Sequence, residues 1–475
     1  MAAQASKLEQ QRQTRREQLV DIALSAILER IMSKETVILD KISSAGKSLP
    51  RQTLLEIVEV EVQRAADDQL WCDSYAERNK SEQTVYVYVN DSHWQAVGPQ
   101  QWKYFVDQCA KRCGLPRSYL MTPSFMNLLY EGVAFNVKDY KPQKILRDEL
   151  WLNLADCTLE IKSDGTVVSR EHRRDDCFFY CLSYAYNPKA ESPLFFAYLD
   201  RTLPDKESQQ TLAEFLGYCL MRDHRFEKML WLVGPGGNGK STLIEVILAL
   251  LGDMNVSTVP LSLLTTGERK QALFEHKLLN ASFESGRNVN SDVLKQMVSG
   301  EPLTIELKYK NPRQITDYGK ILMASNHLPD PEDSFAFFRR LIILNFDTII
   351  SDDEKDNQLA KKLKNECPGI LNWVIQALID LLKRNEFCHC AASEKAVEEY
   401  KLQGDSVRLF VSENCEPAAF SVAASDLDKA YREYCLATGM KYLGRNKFYK
   451  RLEAIGHKPV KYQNNIRFNL KLREL

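Results

Sequence analysis

The stretch Trp231–Leu243, WLVGPGGNGKSTL, decides how this chain is read. Before it, residues 228–233 (KMLWLV) form a short apolar run suited to a buried strand, and after it TLIEVILALLG carries a helical pattern. Between them Gly234, Pro235, Gly236, Gly237, Asn238, Gly239, Lys240 and Ser241 fit G-x-x-x-x-G-K-[ST], a phosphate-binding loop. Glycines let successive backbone N–H groups turn inward around an anion, and a helix opening at Lys240 adds the positive end of its dipole. Lys240 is expected to reach the β and γ phosphates and the Ser241 hydroxyl to sit on Mg²⁺, with Thr242 next in the nucleotide-binding set. The flanking strand and helix separate this from a glycine-rich turn without a ligand. ATP and Mg²⁺ are the expected cofactors.

At 475 residues the chain exceeds one ordinary domain, and its length suggests about three. With 27% charged and 44% hydrophobic residues and a formal net charge of −1, it has a globular composition. No apolar run reaches the roughly 18 residues a membrane span needs, and MAAQASKLEQQRQTRREQ lacks the apolar stretch of a signal peptide. A cytoplasmic location and no membrane partner are expected. Of the twelve cysteines, Cys109 and Cys113, Cys177 and Cys181, and the tight Cys388-His389-Cys390 complete no pair of zinc half-sites. Neither zinc nor disulfides are expected.

Downstream, residues 277–283 (KLLNASF) form another apolar run that ends on Glu284. A carboxylate there can hold Mg²⁺, directly or through water, or orient the attacking water. A third apolar run, residues 320–325 (KILMAS), ends on Asn326, whose amide can hydrogen-bond the γ-phosphate or the lytic water. In FAFFRRLIILNF, Arg339 and Arg340 precede a fourth strand, where an arginine can reach the nucleotide of a neighbouring subunit.

In this order, GPGGNGKST, ASFES, SDVLKQMVSGEPLTIELKYKNP, ILMASNHLP and FFRRLIILNF resemble motifs A, B, B′ and C and the arginine finger of superfamily 3 helicases, above all the phage and plasmid primase-helicase family. LSYAYNPKAESPLFFAYLDRTLPD and LAEFLGYCLMRD resemble that family's segment before the ATPase. The resemblance implies an α/β, multidomain protein with an AAA+ P-loop ATPase core, acting as a hexameric, ATP-driven DNA helicase that moves 3′ to 5′ on single-stranded DNA. Two departures stand out. Glu284 has no acidic neighbour, so metal binding and water activation both stay open for it. Upstream there is neither an acidic D-x-D pair nor a zinc cluster, so primase activity is not expected.

DNA contacts are expected at two places. TIELKYKNPRQIT reads as two strands around Lys308, Tyr309 and Lys310, a hairpin whose cations and aromatic ring suit a channel-facing loop. From Lys429 to Leu475 there are twelve Lys or Arg against three Glu, a balance of +9. There Ser425-Asp426-Leu427-Asp428 reads as a capping box opening a helix that Gly439 ends. A second helix from about Arg445 to Ile455 buries Phe448, Leu452 and Ile455 and turns Lys447, Lys450 and Arg451 elsewhere, and HKPVKY and IRFNL form a hairpin. Two helices and a hairpin suggest a winged helix, with the second helix in a DNA groove. A protein-docking role remains the alternative.

Near the N-terminus, Val20, Leu24, Ile27, Leu28 and Ile31 follow helical spacing, LLEIVEVEVQRA is ambiguous between helix and strand, and TVYVYVNDSHWQAVG turns at Asn90-Asp91 as a hairpin. The expected divisions are a helical region over 1–70, a mixed domain over 71–200, the ATPase core over 201–350, a helical lid or linker over 351–400 and a winged helix over 401–475. The reading is a replicative ring helicase of a phage, plasmid or mobile element in its host's cytoplasm. Its expected partners are single-stranded and forked DNA, an origin duplex, further copies of itself and a separate primase or polymerase. An ATP-switched origin-binding initiator and a single-subunit P-loop kinase remain open alternatives.

Overall fold

The computed structural model describes residues 2–31, 49–72, 84–136, 150–162, 164–283, 289–306, 312–326, 328, 335–351, 356, 358–440, 442–462 and 465–473. The expected N-terminal helix spans Ala2–Arg30, and the spacing of Val20, Leu24 and Ile27, with Ile31 just beyond, turns one stripe inward, all at most 4% exposed. The ambiguous LLEIVEVEV is helical, within Arg51–Ala66: Leu54, Val58 and Val62 recur every four residues and are buried. Strands β1 (Leu70–Cys72), β2 (Val85–Val89) and β3 (His93–Ala96) follow as an antiparallel sheet. The β2–β3 turn places Asn90 and Asp91 at φ 50° and 48° and closes with the Ser92 amide donating to Val89 O at 3.1 Å, so three residues connect the paired Val89 and His93. Helices Pro99–Arg112 and Pro123–Asn136 close a core that runs from Val20 to Ala134. The division expected at residue 70 therefore cuts through a single core, because the helix before it and the sheet after it bury the same side chains.

Strands β4 (Leu150–Asn153), β5 (Thr158–Ile161) and β6 (Val167–Arg170) form a second small antiparallel sheet. Leu152, Leu159 and Ile161 are buried together with strands of the main sheet, so this segment shares a core with the chain beyond residue 200, across the division expected there.

The main sheet contains β7 (Met229–Val233), β8 (Val256–Ser257) and β9 (Leu279–Ser282). Then comes a separate antiparallel pair, β10 (Leu303–Ile305) and β11 (Arg313–Ile315), and the main sheet resumes with β12 (Lys320–Ser325) and β13 (Leu341–Asn345). Its order is β13-β7-β12-β9-β8, parallel throughout. Such strands read as continuous apolar runs because both faces are covered. Within β7, Leu230 and Leu232 point into a core shared with helices Lys240–Leu251 and Cys367–Arg384, while Met229 and Trp231 point into another shared with Leu294, Met297 and Tyr400. The region expected as a lid belongs to these cores. Helix Cys367–Arg384 buries Ile370, Leu371, Val374 and Leu378, and helix Ala391–Gly404 lies on β13, where the Ile343 amide donates to Ser393 Oγ at 3.2 Å.

The C-terminal region has its own core of Phe410, Tyr431, Phe448, Leu452 and Phe468, with Tyr431 and Phe448 stacked at 4.2 Å. Its order is helix Ser406–Asn414, β14 (Cys415–Ala423), helices Ala424–Thr438 and Arg445–Ala454, β15 (Pro459–Tyr462) and β16 (Asn465–Leu472). The three strands form one antiparallel sheet, β14-β16-β15. The expected two helices and hairpin are there, preceded by a helix and a strand not anticipated. The capping box is not: the helix opens at Ala424, Ala423 occupies the cap position, and Ser425 Oγ donates to Asp426 Oδ1 at 3.3 Å. Asp428 instead pairs with Arg432 and Arg445. Gly439, at φ 71°, does end the helix.

Candidate functional site

The loop from Gly234 to Gly239 joins the carboxyl end of β7 to the helix Lys240–Leu251. Gly236, Gly237 and Gly239 all have positive φ, so the backbone curls in a way L side chains resist. Gly234 is set by space: a Cβ there would lie 2.2 Å from Asn238 Nδ2 and 2.3 Å from the Phe346 carbonyl oxygen. At Gly239 a Cβ would meet Thr202 Cγ2 at 2.8 Å. Around the loop, the Asn238 amide donates to Phe346 O at 2.7 Å, Tyr198 OH to Gly239 O at 2.8 Å and the Ile350 amide to Gly237 O at 2.9 Å. Lys240 is buried in the mouth of the loop, its Nζ donating to Gly234 O at 2.6 Å and Asn238 Oδ1 at 3.0 Å. Burial pulls its pKa below the usual lysine range, so an arriving anion would meet a poorly solvated ammonium. Ser241 is exposed and Thr242 half-buried on the first helical turn, while Pro235 and Gly237 form the open rim.

The sheet brings a further predicted residue to this edge. Ser325 pairs with Val233, so Asn326, exposed just after β12, stands level with Gly234 at the start of the loop. Strand β9 ends on the same edge, its Ser282 paired with Met323. Glu284 lies outside the described residues, as do Lys308, Tyr309 and Lys310.

Arg339 and Arg340 occupy the opposite edge. They precede Leu341, which pairs with Met229 at the start of β7, a strand's length of roughly 15–20 Å from the loop. The two differ in environment. Arg340 is buried: its guanidinium donates to Ser299 Oγ at 2.6 and 3.2 Å and to Ala336 O at 2.5 Å, and lies 3.0 Å from Glu227 Oε2. Arg339 is 52% exposed and pairs with the same Glu227 oxygen at 2.9 Å, while Lys228 Nζ holds its carbonyl at 2.7 Å. Burial first, and the Arg339 charge second, push the Lys228 pKa down.

The β10–β11 pair is the base of the expected hairpin, with Leu303 opposite Ile315 and Ile305 opposite Arg313. Arg313 makes a two-pronged ion pair with Glu275 at 2.5 and 2.7 Å. The next residue, His276, stacks on Phe179 at 3.8 Å between ring centres and shares a 2.8 Å hydrogen bond with Asp317. Burial pushes the Asp317 carboxyl up, but the bond to His276 and nearby positive charges hold it down at about 2. Lys295, named in the B′ resemblance, is paired with Asp292 at 2.8 Å.

In the C-terminal region Lys447 and Lys450 are exposed on helix Arg445–Ala454. Arg451 on the same helix is only partly exposed, its Nε and Nη2 donating to Asp405 Oδ2 at 3.0 and 2.7 Å, which ties it to the first helix of that region. Sequence reasoning missed Glu227, Tyr198 and Phe346 as parts of these sites. Phe346 and Glu227 act through contacts more than a hundred residues away in the chain, and Tyr198 lies in a segment whose likeness was seen without a role.

Residues 68–204 match the family described as D5 N terminal like, and residues 232–340 match a family of unknown function, DUF5906. Over 213 residues, 42% of this chain, the sequence is 27% identical to a candidate helicase of Acanthamoeba polyphaga mimivirus. The match spans 22% of that relative's length. Among solved structures, the A form of the apo NrS-1 C-terminal region (305–718) has a TM-score of 0.51 at 12% identity, covering 88% of this chain and 99% of that one. Another apo structure of the same region gives 0.50 at 13% identity, covering 88% and 98%. At such identities the shared property is the fold, and it extends over most of the chain.

Proposed function

We propose that this chain is an ATP-driven DNA helicase subunit of a viral, phage or plasmid replication system, working as a ring. The observation that carries this reading is the division of labour across the parallel sheet. A glycine loop with a buried lysine occupies the carboxyl edge, and a pair of arginines occupies the other. Numbered along the chain, the five strands run fifth, first, fourth, third, second, which places β12 between β7 and β9 and opens a crevice beside the loop. This is the arrangement read here as an AAA+ core. The likeness to a viral candidate helicase and to the D5 N terminal like family supports the same reading.

The residues present suit ATP and Mg²⁺. Cβ atoms added at Gly236 and Gly237 would meet nothing within 4 Å, so the rim is open to a phosphate, and the inner face is held by Asn238, Phe346 and Tyr198. Lys240 would exchange its loop acceptors for phosphate oxygens, Ser241 would offer its hydroxyl to the metal, and Glu284 and Asn326 would act on the metal or the attacking water. Bound ATP supplies a phosphoryl group whose transfer is favoured by charge stabilisation more than by covalent help from the protein. An arginine roughly a strand's length from its own loop suits a role on a neighbour's nucleotide. Of the two, Arg339 has the freedom for it, and Arg340 is the anchor beside it. Lys308, Tyr309 and Lys310 would then grip DNA in the ring channel. The C-terminal region, read as a winged helix, would meet duplex through Lys447 and Lys450 while Arg451 holds the recognition helix to Asp405.

The test is ATP hydrolysis with and without single-stranded DNA, comparing wild type with Lys308→Ala/Lys310→Ala. Strong stimulation that the double variant loses is the expected result. Hydrolysis indifferent to both would overturn the helicase reading in favour of an initiator switch or a P-loop kinase.

A further inference from the structure

Glu227 stands out at the arginine edge. It is not glycine, yet its backbone is left-handed, at φ 48°, closing a turn in which its amide donates to His224 O at 2.9 Å. Glycine or asparagine would adopt that conformation with less strain, so a glutamate held there points to a use for the side chain. Its Oε2 receives both Arg339 and Arg340. Arg340 is fixed independently by Ser299 and the Ala336 carbonyl, so Glu227 is one of several partners for it. For Arg339, half exposed, Glu227 is the carboxylate that sets where the guanidinium rests. The Arg339 backbone does not share that freedom, because Lys228 holds its carbonyl and Leu341 enters the sheet two residues later. The side chain can therefore swing about a fixed root. Beside Glu227 a cleft of about 490 Å³, also lined by Arg225, Ser299 and Gly300, leaves solvent room at this edge.

We propose that Glu227 is a latch that holds Arg339 within its own subunit and releases it to the triphosphate of a neighbouring copy. The inference rests on the reading of Arg339 as acting across subunits. In the isolated subunit the guanidinium is neutralised by Glu227. On assembly, the neighbour's phosphates, which carry more negative charge than one carboxylate, compete for the same donors. An ion pair this exposed biases such an exchange by only about two- to fivefold, weak enough to be broken by assembly and strong enough to lower activity before it. Glu227 is on this account a positioning residue that never touches the nucleotide.

The experiment measures ATP hydrolysis per subunit across a range of protein concentrations, with thermal melting alongside, for wild type, Glu227→Asn, Glu227→Gln, Arg339→Ala and Glu227→Asn/Arg339→Ala. Asparagine accepts the left-handed backbone and is too short to reach, and glutamine keeps the length without the charge. The expected result is that both Glu227 variants raise hydrolysis at low protein concentration by about two- to fivefold and lower the half-maximal concentration by the same factor. The double variant should fall to the level of Arg339→Ala. Loss of a merely structural residue would depress activity at every concentration, so a gain confined to dilute protein belongs to the latch. If both Glu227 variants hydrolyse at or below the wild-type rate while Arg339→Ala is inactive, the latch is wrong and the cross-subunit arginine stands. Melting lowered in both by more than a few degrees, with no gain in activity, makes Glu227 structural and equally overturns the latch. If Arg339→Ala hydrolyses like wild type, the latch and the reading beneath it fall together.

Discussion

The two edges of the five-stranded sheet are built from opposite materials. At the carboxyl edge the candidate binding surface is backbone: four glycines, main-chain N–H groups and a helix start, with one lysine drawn inside. At the amino edge it is side chain: Arg339, Arg340, Lys228 and Glu227 hold one another in a charged knot. A backbone cradle needs no partner to take shape, since its geometry follows from φ angles and steric contacts. A knot of charges can exchange its partners, so it can do different things alone and in an assembly. The difference suggests half-sites that complete one another only when copies meet.

The largest effects should come from removing the key charge at either edge. Arg339→Ala is expected to lower assembled ATP hydrolysis by about a thousandfold, the scale of an arginine acting on a transferring phosphoryl group. Lys240→Ala should cost at least about a hundredfold, as for other groups that stabilise developing charge. Neither should change folding much. Mixing the two proteins pairs an intact loop with an intact arginine at some interfaces, so partial recovery of hydrolysis is expected. A mixture as inactive as its components would break the comparison, because the two edges would then serve the same nucleotide or none.

Stability should separate the edges next. Arg340→Ala removes the buried centre of the knot and its hydrogen bonds to Ser299 and the Ala336 carbonyl, while Glu227 keeps Arg339, a loss of about 1–3 kcal/mol. Arg339→Ala, at a half-exposed pair, should cost under about 1 kcal/mol. At the loop, Gly234→Ala drives a methyl group into the Phe346 carbonyl and Asn238 and should cost about 3 kcal/mol. Gly236→Ala meets open space and pays about 1–2 kcal/mol for its left-handed backbone alone. Chemical denaturation of the four variants measures these values. Equal losses at Arg339 and Arg340 would remove the distinction between anchor and finger.

How much of this is readable from sequence respects the same divide. The loop is legible because its chemistry resides in residue types at fixed spacing, with glycines and Lys240 in one short window. Asn326 and the arginines are legible as ends of apolar runs, although which arginine is buried depends on Ser299, 41 residues away. Glu227 is not legible, since neither its φ nor its partner 112 residues on leaves a local mark. Strand order is equally a matter of long-range pairing, and nothing in KILMAS says that it inserts between β7 and β9. The division placed at residue 70 fails for a related reason. LLEIVEVEV alternates like a strand, and only packing against Pro123–Asn136 reveals the stripe of Leu54, Val58 and Val62 that makes it a helix within the larger core.

Acid offers the gentlest probe of the amino edge. His224 lies buried beneath Gly300 on the cleft beside Glu227, and its Nε2 lies 3.2 Å from the Gly319 carbonyl oxygen, which a neutral ring can satisfy by donating from that nitrogen. Burial first, and the Lys320 charge next, push its pKa down to about 3. Below its ordinary value of 6.5 the unfolded chain therefore takes up a proton that the folded chain refuses, so stability falls as pH drops from about 6.5 towards 3. The slope is about 1.4 kcal/mol per pH unit once the unfolded imidazole is protonated. Between pH 7 and 5 this amounts to roughly 1–2 kcal/mol. His93, lowered to about 4 by burial, adds a similar loss in the N-terminal core, whereas Asp317, at about 2, stays ionised in both states over this range. His224→Gln should keep a donor near Gly319 and flatten its share of the slope, leaving the His93 share in place. The two-pH comparison of His224→Gln with His93→Gln also assigns the loss to an edge. If only the His93 variant flattens the curve, the charged knot does not rest on a neutral imidazole. If the His224 variant does, mild acid should loosen the arginine edge while the glycine cradle, whose shape is set by its backbone, keeps it.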